Sequence, residues 1–176
     1  MAANEDLSFP IGRFDGNAII TPAMRPSAIG QIAALPDRLR EAIAHLSDAQ
    51  LDTAYRPEGW TVRQLVHHIA DSHMNGYART RLALTEDNPT IKPYDQDEWA
   101  RLADSRLPVD VSLQLLDALH QRWTAVWRSL APEQFSRTFH HPESGPQTLD
   151  THLQHYGWHS RHHLAHVIGL RTREGW

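Results

Sequence analysis

Residues 59–75 read GWTVRQLVHHIADSHMN, and this stretch decides the fold. Thr61 and Gln64 have the T-x-x-Q spacing of a capping box, in which each side chain satisfies a backbone N–H that a helix start leaves free. Trp60 and Leu65 flank the box as a hydrophobic staple. Val62, Leu65, Val66, Ile69, His73 and Gly76 then recur at helical spacing, which puts them on one face. The pattern predicts a helix from Thr61 to about Leu84.

Three further long segments read the same way. A first helix is expected over about Ala28–Leu46, kinked or restarted at Pro36, because proline lacks an N–H and crowds the preceding turn. LSDAQLD (46–52) is a short helical turn. A third helix carries Val111, Leu115, Leu119, Val126 and Leu130, with Asp110 as its cap and Ala131-Pro132 as its end. A fourth runs from near Thr148 to about Leu170, with Gly169 near its C-cap. Residues 85–109 contain Pro89, Pro93 and Pro108 and form a long connection with a short helical piece near Asp97–Ala103. HHPESGPQT (140–148) is expected to be a loop, since no stretch sustains the apolar–polar alternation of a strand. Residues 1–26, punctuated by Pro10, Gly12, Gly16, Pro22 and Pro26, form an irregular arm. Four helices of about 20 residues make an all-α four-helix bundle, and 176 residues suit one domain over 1–176. LSDAQLDTAY (46–55) echoes LAPEQFSRTF (130–139), each between two long helices, which suggests two similar helix pairs related by pseudo-symmetry.

Composition excludes several function classes. The net charge of −4 gives no basic surface for nucleic acid. With no cysteine there is no disulfide, thiolate ligand or cysteine nucleophile. Apolar runs are too short to span a membrane. The acidic start MAANEDLSFPIGRFDG lacks the apolar core of a signal peptide, so a cytoplasmic protein is expected. The anomaly is the 13 histidines. Six of them are His152, His155, His159, His162, His163 and His166.

Residues four apart on a helix stack one above the other with Cβ atoms about 5–6 Å apart. His159 and His163 can therefore reach one metal ion, and so can His155–His159 and His162–His166. Leu153, Tyr156, Gly157, Leu164, Val167 and Ile168 mark the buried side. His159 and His163 fall on its edge, His152 and His166 lie nearby as supporting groups, and His155 and His162 fall nearly opposite. On the second helix His73 lies mid-stripe, His68 on the edge and His67 well away. Periodicity leaves His68 and His73 open as a third ligand and expects His67, His155 and His162 to face solvent. The HExxH protease template is absent, because Ser160 follows His159.

GWTVRQLVHHIADSHMN, together with LSFPIG (7–12), LDTAYR (51–56), KPYDQDEWARLADS (92–105) and WHSRHHLAHV (158–167), resembles the YfiT-like proteins of the DinB superfamily, in order and over nearly the whole chain. The resemblance implies a four-helix bundle in up-down-down-up order, with a long crossover between the second and third helices. It implies one divalent ion, zinc first and nickel second, held by three histidines that match His68, His159 and His163 here, and so removes His73. Arg161 stands where the family shows a further histidine, outside the three ligands. The resemblance also implies homodimers and the label metal-dependent hydrolase, acting on a small molecule. Some related bundles transfer a low-molecular-weight thiol such as bacillithiol onto electrophiles.

Three neutral imidazoles leave an ion with an open position, the catalytic rather than the structural pattern. Hydrolysis wants a carboxylate base. Asp71, one turn beyond His68, is the nearest in sequence, but its angle points away from the stripe. Thiol S-transfer does without that base and is the alternative. A bundle that only binds or senses metal is the third reading. Tyr94, Trp99 and Trp158 are candidates for the pocket mouth, and the arm carrying Phe9-Pro10-Ile11-Gly12 could cover one end of the bundle.

Overall fold

Four long helices carry the chain: α1 (Arg25–Ile43), α3 (Val62–Thr85), α5 (Asp110–Ser129) and α6 (Leu149–Glu174). Two short ones, α2 (Asp48–Leu51) and α4 (Gln96–Trp99), lie in the connections. The computed structural model describes residues 7–176, and the first six residues of the expected arm lie outside them. Among the described residues no helix is long and apolar enough to cross a membrane.

Side-chain contacts fix the helix directions. Arg25 at the start of α1 pairs with Asp150 at the start of α6 at 2.8 Å, and Arg171 near the end of α6 donates to the Ala42 carbonyl at 2.7 Å. The two helices therefore run parallel. His67, His73 and Thr80 of α3 meet Ser112, His120 and Trp123 of α5 in ascending order, so that pair is parallel too. His73 and Gly76 meet His159 and His152 in descending order, so α3 and α6 are antiparallel. The order is up-down-down-up. A second parallel helix in sequence must return across the bundle, which is why residues 86–109 are long. α1 and α6 approach so closely that a Cβ on Gly157 would lie 3.1 Å from the Ala28 Cα.

The capping box forms as read. The Thr61 hydroxyl accepts the Gln64 N–H at 3.1 Å, and the Gln64 carbonyl oxygen accepts the Thr61 N–H at 3.0 Å. Arg63 in the first turn of α3 holds Asp52 and Asp48 at 2.7 Å each, which ties α2 to α3. The apolar stripes close into two clusters. Leu35, Leu39, Leu65, Ile69, Leu116 and Val167 belong to one. Ile32, Trp123, Trp127, Phe139, Leu153 and Tyr156 belong to the other. Burying each large side chain contributes roughly 1.5–3 kcal/mol. Between the clusters along each helix lie His73 of α3, His120 of α5 and His159 of α6, all buried.

The echo between 46–55 and 130–139 is structural. Gln50 accepts the Ser47 N–H at 2.9 Å, and Gln134 accepts the Ala131 N–H at 2.8 Å. Leu51 and Tyr55 are buried, as are Phe135 and Phe139. Ala54 bridges Thr61, the cap of α3, while Thr138 pairs with Thr148, the cap of α6.

Several boundaries differ from expectation. α1 starts at Arg25 and passes through Pro36 without restarting. Asp110 is the first residue of α5 rather than its cap, and no side chain caps that start. α6 continues past Gly169 to Glu174 and ends on Gly175, whose φ of 72° supplies the left-handed stop. The expected piece near Asp97–Ala103 divides into α4 and a 3-10 turn at Ala103–Arg106. The expected loop at 140–148 belongs to a hairpin of β1 (Thr138–His141) and β2 (Gly145–Thr148). Each strand is four residues, too short for alternation to register, and Gly145 at φ 78° permits the turn.

Candidate metal centre

His68, His159 and His163 come together: one ring nitrogen from each lies within 4.8 Å of the other two, and all three rings are buried. The Nε2 atoms of His159 and His163 face each other at 3.1 Å across one helical turn. The His68 ring centre is 5.7 Å from that of His159 and 5.0 Å from that of His163. Trp60 packs on the outer side of His68 at 4.5 Å, so the staple residue of α3 also positions a candidate ligand.

Burial keeps these imidazoles neutral. It pushes His68 down to about 4, with positive charge on His162 a lesser cause. Burial likewise holds His159 and His163 well below the ordinary range. A neutral imidazole offers a lone pair, which is the form a cation requires. The donor set therefore fits one divalent ion.

All three residues line a cleft of about 1030 Å³. Its walls include Phe9, Trp60, Tyr94, Tyr156 and Trp158, and it also carries Arg56, Arg79, Glu58, Asp95, Asp97 and Glu143. Tyr94 and Trp158 thus lie where the sequence reading put them. Trp99 instead packs at a tilt against Tyr94 at 4.4 Å, outside the lining. Asp71 is not among the lining residues. It is half-buried, and burial, then the charge on Asp104, raises it to about 6.

The histidines expected to face solvent are covered. His67 is buried, with Nδ1 2.7 Å from the Ser112 hydroxyl and Nε2 3.0 Å from the Leu107 carbonyl. His162 is buried under Phe9 and stacked on Trp158. His155 is half-buried against Phe14 at 5.1 Å. The cause is the same in each case: the crossover and the N-terminal arm lie over faces that the helix period alone assigns to water. The arm is pinned where Trp158 donates to the Gly12 carbonyl at 3.1 Å. It covers the histidine-rich stretch of α6.

His152 touches none of the three candidate ligands, whereas the His166 ring lies 5.9 Å from that of His163, as a supporting group would. His152 donates to the Gly76 carbonyl at 3.0 Å. His166 packs on Tyr55 at 4.3 Å and faces the Nε2 of His162 at 3.1 Å. His162, His163 and His166 form a second group with converging nitrogens, entirely on α6 and sharing His163 with the first. The first group differs in drawing on two helices. His73, set aside as a ligand, touches the site from behind: its Nε2 is 3.1 Å from the Nδ1 of His159.

Known proteins share this arrangement of sequence and fold. A family model described as the DinB superfamily matches residues 31–167. A Bacillus mycoides (strain KBAB4) protein is 52% identical over 172 residues, covering 98% of this chain and 99% of its own length. A Bacillus cereus (strain B4264) protein is 53% identical over 171 residues, covering 97% and 99%. Both carry the name "Putative metal-dependent hydrolase". The solved structure of YfiT from Bacillus subtilis superposes with a TM-score of 0.93 at 46% identity, covering 97% of this chain and 99% of that one. It is described as a probable metal-dependent hydrolase with an unusual four-helix bundle topology. On its bundle order, its three converging histidines and this match over most of its length, the chain belongs to the DinB superfamily.

Proposed function

We propose that the chain is a metal-dependent hydrolase acting on a small molecule, with one divalent ion held by His68, His159 and His163. The observation that carries this reading is the convergence of three neutral imidazole nitrogens within 4.8 Å on the wall of a large cleft. The names of the relatives support the same class. Zinc suits three nitrogen donors that leave a position open.

A divalent ion held there would supply Lewis acidity, enough to polarise a substrate carbonyl or to bring the pKa of a water toward about 7. The chain's own residues do the rest. Trp60 orients His68 from outside, and His73 contacts the far nitrogen of His159. The Tyr156 hydroxyl donates to the Ser72 carbonyl at 2.9 Å and keeps that wall in place. Phe9, Trp60, Tyr94 and Trp158 offer apolar area to the substrate, and Arg56 and Arg79 offer positive charge. Asp95 is occupied accepting the N–H groups of Asp97 and Glu98. Glu58, Asp97 and Glu143 are the further carboxylates on the cleft wall, and Asp71 is not on it.

The test combines metal content with turnover. The purified protein is expected to hold one zinc per chain and to cleave members of an ester and amide panel. His159→Ala and His163→Ala are expected to lose the ion while keeping their helical circular dichroism. Conjugation of a thiol to a model electrophile without any cleavage would overturn the hydrolase reading. Full metal occupancy with neither activity would leave a metal-binding or sensing bundle.

A further inference from the structure

Pro36 lies in the middle of α1. Having no N–H, it leaves the carbonyl of Ile32, four residues earlier, without its helical donor. The Nδ1 of His120 on α5 lies 2.6 Å from that carbonyl oxygen. The Nε2 of His120 lies 2.9 Å from Nδ1 of His73 on α3. The Nε2 of His73 lies 3.1 Å from Nδ1 of His159 on α6. Two imidazoles, of His120 and His73, thus connect a backbone carbonyl of one helix to a candidate ligand on another, and the path crosses all four long helices between the two apolar clusters. All three rings are buried, His73 completely.

This chain has only one direction. A carbonyl oxygen accepts and never donates, so His120 must carry its proton on Nδ1. A neutral ring then leaves Nε2 of His120 as an acceptor, and His73 must donate to it from its own Nδ1. The same step repeats: Nε2 of His73 accepts, and His159 donates from Nδ1. What is left at the far end is the Nε2 lone pair of His159, facing Nε2 of His163 at 3.1 Å and the Ser72 hydroxyl at 3.4 Å.

We propose that His120 and His73 are positioning residues that transmit the polarity of the free Ile32 carbonyl to His159, locking its proton on Nδ1 and presenting its Nε2 lone pair to the cation. The assignment rests on the metal reading only in its last link. Each ring-to-ring contact, at 2.9 and 3.1 Å, pairs two nitrogens and needs one of them bare, so His120 and His73 each carry a single proton. Partners that orient a ligating imidazole are typically worth about 10–100-fold in metal affinity.

The test begins on the metal-free full-length protein, by nitrogen–proton correlation spectroscopy of the imidazole rings at neutral pH. His120, His73 and His159 are each expected as the Nδ1–H form. An Nε2–H form at any of the three overturns the proposal. Zinc affinity is then compared in paired variants. Glutamine at position 73 can donate to His120 and accept from His159, so His73→Gln is expected to stay within a few-fold of the parent. His73→Leu, which can do neither, is expected to bind about 10–100-fold more weakly. His120→Gln and His120→Leu should divide in the same way. Equal losses in the glutamine and leucine variants would reduce both residues to packing and overturn the proposal. The Nδ1–H pattern in a protein that binds no zinc would instead uphold the chain of donors and remove the metal reading.

Discussion

Acidifying the metal-free protein from pH 7 to pH 5 should destabilise it through its buried histidines, an effect that protonation of Asp71, raised to about 6, only partly offsets. His152 and His120 carry this prediction, because both are buried and neither is a candidate ligand. Burial lowers His152 to about 3, partly offset by its bond to Gly76, and lowers His120 to about 4, partly offset by its bond to Ile32. In the unfolded chain each returns to about 6.5. The folded pKa is the depressed one, so the folded state binds fewer protons between pH 6.5 and 4 and unfolding takes protons up. Stability contributed this way is present above pH 6.5 and is lost as pH falls. Integrated from pH 7 to pH 5, each histidine removes about 2 kcal/mol, or about 4 kcal/mol for the pair. For a chain of this size that is a fall in Tm of about 8–16 °C. The assay is thermal unfolding at pH 7, 6 and 5, for the parent and for His152→Gln. The glutamine can donate to the Gly76 carbonyl but cannot titrate, so the variant should lose about 2 kcal/mol less between the two pH values. A variant that loses as much as the parent would refute the reasoning.

Gly76→Ala tests the close packing beside the site. A Cβ there would lie 2.4 Å from Cζ of Tyr156 and 2.7 Å from Cη2 of Trp123. The overpacking, about 1–3 kcal/mol, should outweigh the gain of up to about 1 kcal/mol from helix propensity, and an unchanged Tm would show that the rings yield. Thr148→Ala removes the hydroxyl that accepts the Thr151 N–H at 3.1 Å and should lower stability by about 1 kcal/mol in urea unfolding. His166→Ala breaks the second histidine group and should leave zinc at one per chain by elemental analysis. A fall to none would move the ion to that group.

The helix faces were legible because helical periodicity is set by local geometry, and the Thr61–Gln64 box is local chemistry that the fold does not override. His68, His159 and His163 lie at stripe edges, where period and burial agree. His67 and His162 were misread because their covers come from far along the chain. Leu107 follows a crossover whose path no local rule supplies, and Phe9 is in an arm without periodicity. Trp99 was misplaced for a related reason: a four-residue helix gives too little pattern to show which way a ring turns. Pro36 carried a signal read only halfway. Its effect is not a break in α1 but a carbonyl released to a partner on α5, and only the packed bundle identifies that partner.

The pseudo-symmetry explains why the candidate site sits to one side. With the cap Thr61 of α3 matched to the cap Thr148 of α6, Ser72 corresponds to His159 and Gly76 to His163. The two helix pairs repeat in fold but not at these positions. α6 carries the imidazoles, while α3 carries a small residue at each equivalent place. Ser72 leaves its hydroxyl 3.4 Å from Nε2 of His159, and Gly76 leaves room for the Tyr156 and Trp123 rings. Histidines at both sets of positions would crowd four neutral, solvent-starved rings beside His68 and fill the position that three ligands leave open. Small residues on one side let aromatic packing close beneath the ligands while the other side stays open to the cleft. The pseudo-symmetric scaffold thus carries a single site, because the imidazoles stand on one half only, and His68, whose symmetry partner is His155, supplies the third nitrogen across the antiparallel pair.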